Sequence, residues 1–204
     1  MIFTAELLRF TGAKLIVFGV GLLPLAWIFF AVLTDRLGAN PQEYLIRQTG
    51  EWGLRFLCLT LLITPLRVIS KTPELSLFRR ILGLLTYTYA ILHLLCYSWF
   101  DMNFDWFDIS RDIIKRPFIL VGISSFLLMT PLALTSFNSA IKRLGAKRWR
   151  ILHRLIYLIS LLVLLHFFWM RSGKQNFFDV FIYAVLIGLL LGFRLLSNVI
   201  GKKK

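Results

Sequence analysis

Long, predominantly apolar runs constrain this chain more than any other feature. The stretch LHRLIYLISLLVLLHFFW, Leu152 to Trp169, is one of several such blocks, and short charged segments separate them. Crossing about 30 Å of hydrocarbon takes about 20 apolar residues in a helix. In lipid only helices and closed barrels satisfy their backbone polar groups, and these blocks lack the alternation of barrel strands. With 58% hydrophobic residues, the chain is expected to be all-α: an integral membrane bundle of about six transmembrane helices, folded as a single domain over residues 1–204.

The six expected spans are Leu15–Leu33, Gly53–Leu66, Ile81–Phe100, Phe118–Phe137, Ile151–Met170 and Phe177–Phe193. The first is too long for a typical signal-peptide core and has no small-x-small cleavage site after it, so it is expected to be retained. The second is the weakest, because Arg55 interrupts it; its helix must start earlier or carry Arg55 to the interface. Pro24, Pro65 and Pro131 each free a backbone carbonyl that the bundle must satisfy.

The connecting segments alternate in charge. Arg9 and Lys14, then Arg67, Lys71, Arg79 and Arg80, then Lys142, Arg143, Lys147, Arg148 and Arg150, and the basic tail 201–204 fall on one side. Asp35 with Arg36, the acidic DMNFDWFD stretch and RSGKQN fall on the other. Cytoplasmic segments are enriched in Lys and Arg, so both termini are expected in the cytoplasm. The formal net charge of +14 is explained by these flanks, and no nucleic-acid partner is expected. Trp52, Trp99, Trp106, Trp149 and Trp169 suit interfacial aromatic belts. Cys58 and Cys96 lie in apolar blocks without metal spacing and are expected to pack. No repeat is evident, and the GLLLG stretch at Gly188–Gly192 is a common small-residue pattern.

The chain has three histidines, His93, His153 and His166, all inside the expected spans. Ionisable groups at membrane depth are costly and usually face a partner or cofactor; the plainer alternative for any one of them is a hydrogen bond to a neighbouring helix. Along outward-running third and fifth spans, His93 and His166 reach similar depth, about 18–20 Å from the inner ends of their helices. Two neutral imidazoles at one depth can serve as axial ligands to a haem iron. His153 and His166 are thirteen residues apart, about 140° around a straight helix, so they cannot both face one neighbour squarely. Zinc, which favours four ligands including Cys or carboxylate, and a transporter path, which needs buried charges or broken helices, fit less well.

A resemblance then becomes visible. NPQEYLIRQTGEW (Asn40–Trp52), TPLR (Thr64–Arg67), RRILGLLTYTYAILH (Arg79–His93), KRPFILVG (Lys115–Gly122), LALTS (Leu132–Ser136) and WRILHRLIY (Trp149–Tyr157) occur in that order. Together they resemble the haem-binding membrane subunits of bacterial periplasmic protein-methionine-sulfoxide reductase systems, within the ferric-reductase-like transmembrane superfamily. The resemblance implies a bacterial inner-membrane protein carrying electrons through haem b. Its partner would be a periplasmic molybdopterin-containing methionine sulfoxide reductase that repairs oxidised proteins. The donor would be quinol or a cytoplasmic flavin reductase, and FMN is associated with the family.

In this reading His93 and His166 form the complete outer ligand pair. Thirteen or fourteen residues before His93 stand Arg80 and Arg79 rather than histidine. A second haem at His153 would therefore need another ligand or an open position. Arg79 and Arg80 suit haem propionates or an FMN phosphate, or serve only as flanking charges; Arg150 and Arg154 share that double reading. No GxGxxG follows a strand, so electrons are expected from a separate protein. The Asp101–Asp112 and RSGKQNFF segments are candidate docking surfaces. The competing function is a stand-alone ferric or other metal reductase.

Overall fold

The computed structural model describes the backbone at residues 11–173, 175 and 177–200, and side chains within 12–197 of these. Arg9, the tail Lys202–Lys204, and Lys174 and Asn176 of the RSGKQNFF segment lie outside the described residues. The described chain is all-helical. Six helical segments are long and apolar enough to cross a membrane: Gly12–Leu33, Pro41–Ile69, Pro73–Asp101, Pro117–Leu134, Leu155–Ser172 and Phe178–Ser197. The chain divides into two compact units, Met1–Phe104 and Asp105–Lys204.

The first unit contains α1 (Thr11–Leu33), α2 (Pro41–Ile69) and α3 (Ser76–Cys96). A short 3-10 turn, Pro73–Leu75, leads into α3, and a π-helical turn, Tyr97–Asp101, extends it. Phe56 and Ile63 of α2 pack with Phe78, Leu82, Leu85 and Tyr89 of α3, and Val17, Leu22 and Leu25 of α1 close over them.

The second span is far longer than hydropathy suggests, and the reason lies in its first turns. Asn40 caps α2: its Oδ1 accepts from Glu43 N at 3.1 Å, and its Nδ2 donates back to Glu43 Oε2 at 3.4 Å. Pro41 supplies the preset φ of a first helical residue. About two turns further in, Glu51 accepts from Arg47 at 2.9 Å and from Arg55 at 3.0 Å. The Arg55 guanidinium also lies 4.5 Å from the Trp52 ring centroid. The charge that interrupts the apolar run is thereby held within the helix.

Pro24 breaks the hydrogen-bond ladder of α1, and the repair comes from α3. The buried Tyr89 hydroxyl donates to Gly21 O at 3.0 Å and accepts from Leu25 N at 3.1 Å. It occupies the place where Leu25 N–H would meet Gly21 O in an uninterrupted helix. Gly21 makes the approach possible, since a Cβ there would collide with the Leu85 side chain.

The second unit contains α4 (Trp106–Lys115), α5 (Pro117–Leu134), α6 (Asn138–Leu152), α7 (Leu155–Ser172) and α8 (Phe178–Ile200). α5 packs on α7, and α8 also packs on α7. Ser125 and Ser160 are both buried and turn their hydroxyls back to Val121 O (2.8 Å) and Ile156 O (2.7 Å). Small residues with internally satisfied hydroxyls let membrane helices approach closely. The two segments expected to be plain connections, around Asp101–Asp112 and around Lys142–Arg150, are largely helical as α4 and α6.

The fifth span begins later than Ile151. α6 ends at Leu152, and α7 starts at Leu155. His153 and Arg154 form the break, so His153 stands outside the apolar span. The 140° relation between His153 and His166 assumed one straight helix and does not apply across this break.

Candidate functional site

His93 lies on α3 and packs against α2. Its Nδ1 is 2.8 Å from the carbonyl oxygen of Ile46. A carbonyl can only accept, so Nδ1 carries the proton and Nε2 holds the lone pair. The Ile46 carbonyl already serves the helical N–H four residues on, which is that of Gly50. The same oxygen also accepts from Thr49 Oγ1 at 2.9 Å, so the imidazole shares it. Gly50 clears the space: a Cβ there would stand 2.9 Å from His93 Nδ1 and 3.0 Å from Cε1.

His166 repeats this arrangement in the second unit. On α7, its Nδ1 is 2.7 Å from the carbonyl of Phe118 at the start of α5. A Cβ on Gly122 would stand 2.8 Å from His166 Nδ1 and 2.9 Å from Cε1. The glycine is again four residues after the carbonyl donor of the lone pair. The sequence separations agree as well, 47 residues from Ile46 to His93 and 48 from Phe118 to His166. Each unit thus holds one imidazole by the same device: a carbonyl fixes the tautomer, and a glycine admits the ring.

Sequence inspection finds both histidines but neither cradle. A backbone oxygen has no letter in the sequence. The one available signal is a glycine some 43 or 44 residues before a membrane histidine, which is too sparse to register as a repeat.

His153 is held differently. Its Nδ1 is 3.1 Å from Trp149 O on the preceding turn, and its ring stacks on Trp149 at 3.9 Å between centroids. Trp149 Nε1 in turn donates to Thr135 O at 2.9 Å, tying the end of α6 to the end of α5. Burial pushes the His153 pKa below its ordinary value, against the opposing pull of the Trp149 and Leu132 carbonyls. Among the described residues, no glycine cradle accompanies it.

Arg79 and Arg80 do not converge. Arg79 is half-buried and donates from Nη2 to Thr64 Oγ1 at 3.2 Å, beside Pro65 of α2. Arg80 is exposed, as expected for neighbours about 100° apart around a helix. Arg150 and Arg154 are likewise exposed. This arrangement gives no support to a shared phosphate cradle for FMN. Among the described residues, no three His, Cys, Asp or Glu side chains come together as a metal site, which disfavours zinc.

Each of the two imidazoles, of His93 and of His166, by itself suits haem iron. An imidazole with Nδ1–H fixed on a carbonyl keeps its lone pair on Nε2, the usual outer-shell arrangement of metal-bound histidine. Residues 49–164 match the model for the ferric reductase like transmembrane component, more than half of the chain. The chain belongs to the ferric-reductase-like transmembrane family. The match includes His93 and His153 and stops two residues short of His166.

Within that family the chain is similar to proteins described as protein-methionine-sulfoxide reductase heme-binding subunit MsrQ. The protein of that name from Polaromonas naphthalenivorans is 64% identical over 187 residues, covering 92% of this chain and 85% of the relative. That from Herminiimonas arsenicoxydans is 48% identical, covering 90% and 84%. That from Caulobacter vibrioides is 46% identical, covering 82% and 80%. The expected family placement and six-span helical fold are borne out.

Proposed function

We propose that this chain binds haem b through Nε2 of His93 and of His166 and carries electrons across a bacterial inner membrane. The acceptor is a periplasmic methionine sulfoxide reductase subunit, expected to carry molybdopterin, and the donor is quinol or a flavin reductase. The observation that carries the reading is the duplicated cradle. It puts two membrane imidazoles, and not the third, into one ligand-ready state. The relatives' names, which couple haem binding to methionine sulfoxide reductase, supply the biological context.

Haem iron, when bound, accepts and releases one electron at a time, with its potential tuned by axial ligands and their hydrogen bonds. The residues of this chain do the rest. The Ile46 and Phe118 carbonyls hold the proton at Nδ1 of each histidine, so neither ring can turn its ligating nitrogen away. The apolar helices around them exclude water. Sulfoxide reduction is left to the partner. The cationic segments Arg67–Arg80 and Lys142–Arg150 support cytoplasmic termini, by the Lys/Arg bias of cytoplasmic loops.

The deciding experiment is a dithionite-reduced minus oxidised absorption spectrum of the purified full-length protein. A b-type spectrum is expected, and His93→Ala or His166→Ala should each abolish most of it. A colourless wild-type preparation would overturn the proposal. So would full haem content in both variants.

A further inference from the structure

The acidic stretch after Asp101 is not an open acidic loop. Asp105 Oδ1 caps α4, accepting from Phe107 N at 2.8 Å and Asp108 N at 3.1 Å. Asp112 is buried and pairs with Arg116 at 2.8 Å. Two of its carboxylates are therefore committed to the helix itself. Beside its exposed polar residues, α4 presents three large apolar side chains outward: Trp106 is 75% exposed, Phe107 66% and Ile114 82%.

At 100° per residue these three side chains occupy an arc of about 100°, while Ile109 and Asp112 lie on the opposite, buried side. Arg111 stands at the edge of the apolar arc, its guanidinium 4.7 Å from the Phe107 ring centroid. The small, exposed Ser110 lies within the arc; Lys115 follows Arg111 about 80° beyond Phe107, with Asp108 about 20° further round.

Location decides what covers this face. α4 is joined by Arg116 alone to Pro117, the first residue of a membrane-spanning helix. It follows within four residues the span that ends at Asp101. A helix so tethered stays at the boundary between hydrocarbon and water. An apolar arc with Trp and Phe, edged by cations, is the pattern of a helix lying in that plane.

We propose that α4 is an in-plane anchor, with Trp106, Phe107 and Ile114 set among lipid acyl chains below the headgroups and Arg111 and Lys115 among the headgroup phosphates. The anchor acts on the site. Phe118, whose carbonyl orients His166, is only four residues beyond Ile114, through the cap at Arg116. Membrane contact of α4 therefore fixes the depth at which the His166 cradle begins. This inference rests on the membrane-spanning fold and stands whether or not haem is bound.

Tryptophan fluorescence of the full-length protein in phosphatidylcholine–phosphatidylglycerol vesicles tests it. Subtracting the emission of Trp106→Phe isolates the Trp106 contribution. Lipids brominated high on the acyl chain should remove most of that contribution, lipids brominated at the chain ends should remove less, and aqueous iodide should remove little. Ile114→Trp in the Trp106→Phe background should follow the same order. Iodide quenching without quenching by either lipid would overturn the proposal. So would a face open to iodide that becomes shielded only when the soluble reductase subunit is added, which would make α4 a protein-docking helix.

Discussion

The carbonyl oxygen of Phe118 lies 2.7 Å from Nδ1 of His166, and Gly122, one turn further along the same helix, leaves room for the ring that makes this contact. Ile46, Gly50 and His93 stand in the same relation in the other unit. A histidine so held has one tautomer and one orientation. The cost of presenting Nε2 to a ligand is met by folding rather than by binding.

Filling either cradle should therefore hurt ligation before it hurts the fold. In Gly50→Ala and Gly122→Ala the new methyl meets the imidazole at under 3 Å, so the ring must shift and the Nδ1 bond stretch or break. Overpacking of this kind costs about 1–3 kcal/mol. Each variant should retain less haem per protein by absorbance and show an altered midpoint potential. Gly83→Ala is the control, since its nearest neighbour is Thr60 Cγ2 at 3.9 Å. If all three variants hold haem equally, the cradles do not govern ligation.

Hydropathy reads the spans well because lipid imposes length and apolarity on a helix directly. It fails where polar residues satisfy each other. Arg47 and Arg55 break the apolar run, yet both pair with the Glu51 carboxylate on one face of α2, and Asn40 with Glu43 marks the true start. It fails again at His153, where a greasy run continues across two backbone turns that no residue type announces. Of the site, the three histidines are legible as rare polar groups in apolar blocks. The difference between them is not, because it lies in which backbone oxygen each ring meets.

The Tyr89 hydroxyl offers a test of how the proline break in α1 is closed. In Tyr89→Phe, Gly21 O and Leu25 N lose the group that bridges them, inside a buried cluster. Side-chain hydrogen bonds between membrane helices contribute about 0.6–2 kcal/mol. A lower thermal unfolding temperature in detergent is expected, with the haem spectrum of the folded fraction unchanged. An unfolding temperature equal to wild type would show that Leu25 N and Gly21 O re-form their own bond when the hydroxyl is removed.

His153 should make the folded protein sensitive to acid. Burial against Trp149 pushes its pKa below the ordinary 6.5, outweighing the two carbonyls that favour the proton. Above about pH 6.5 the ring is neutral in folded and unfolded chains alike, and it contributes no pH dependence. As pH falls below that value, the unfolded chain takes up the proton first, and the folded state loses stability until its own, lower pKa is passed. Gln cannot titrate but keeps a donor for the Trp149 carbonyl. The drop in unfolding temperature between about pH 7.5 and pH 5.5 should therefore be larger in wild type than in His153→Gln, since His93 and His166 are common to both and cancel. A larger drop in the variant would mean that the folded site holds the proton more tightly than water does, and that the carbonyls rather than burial set the charge at the junction of α6 and α7.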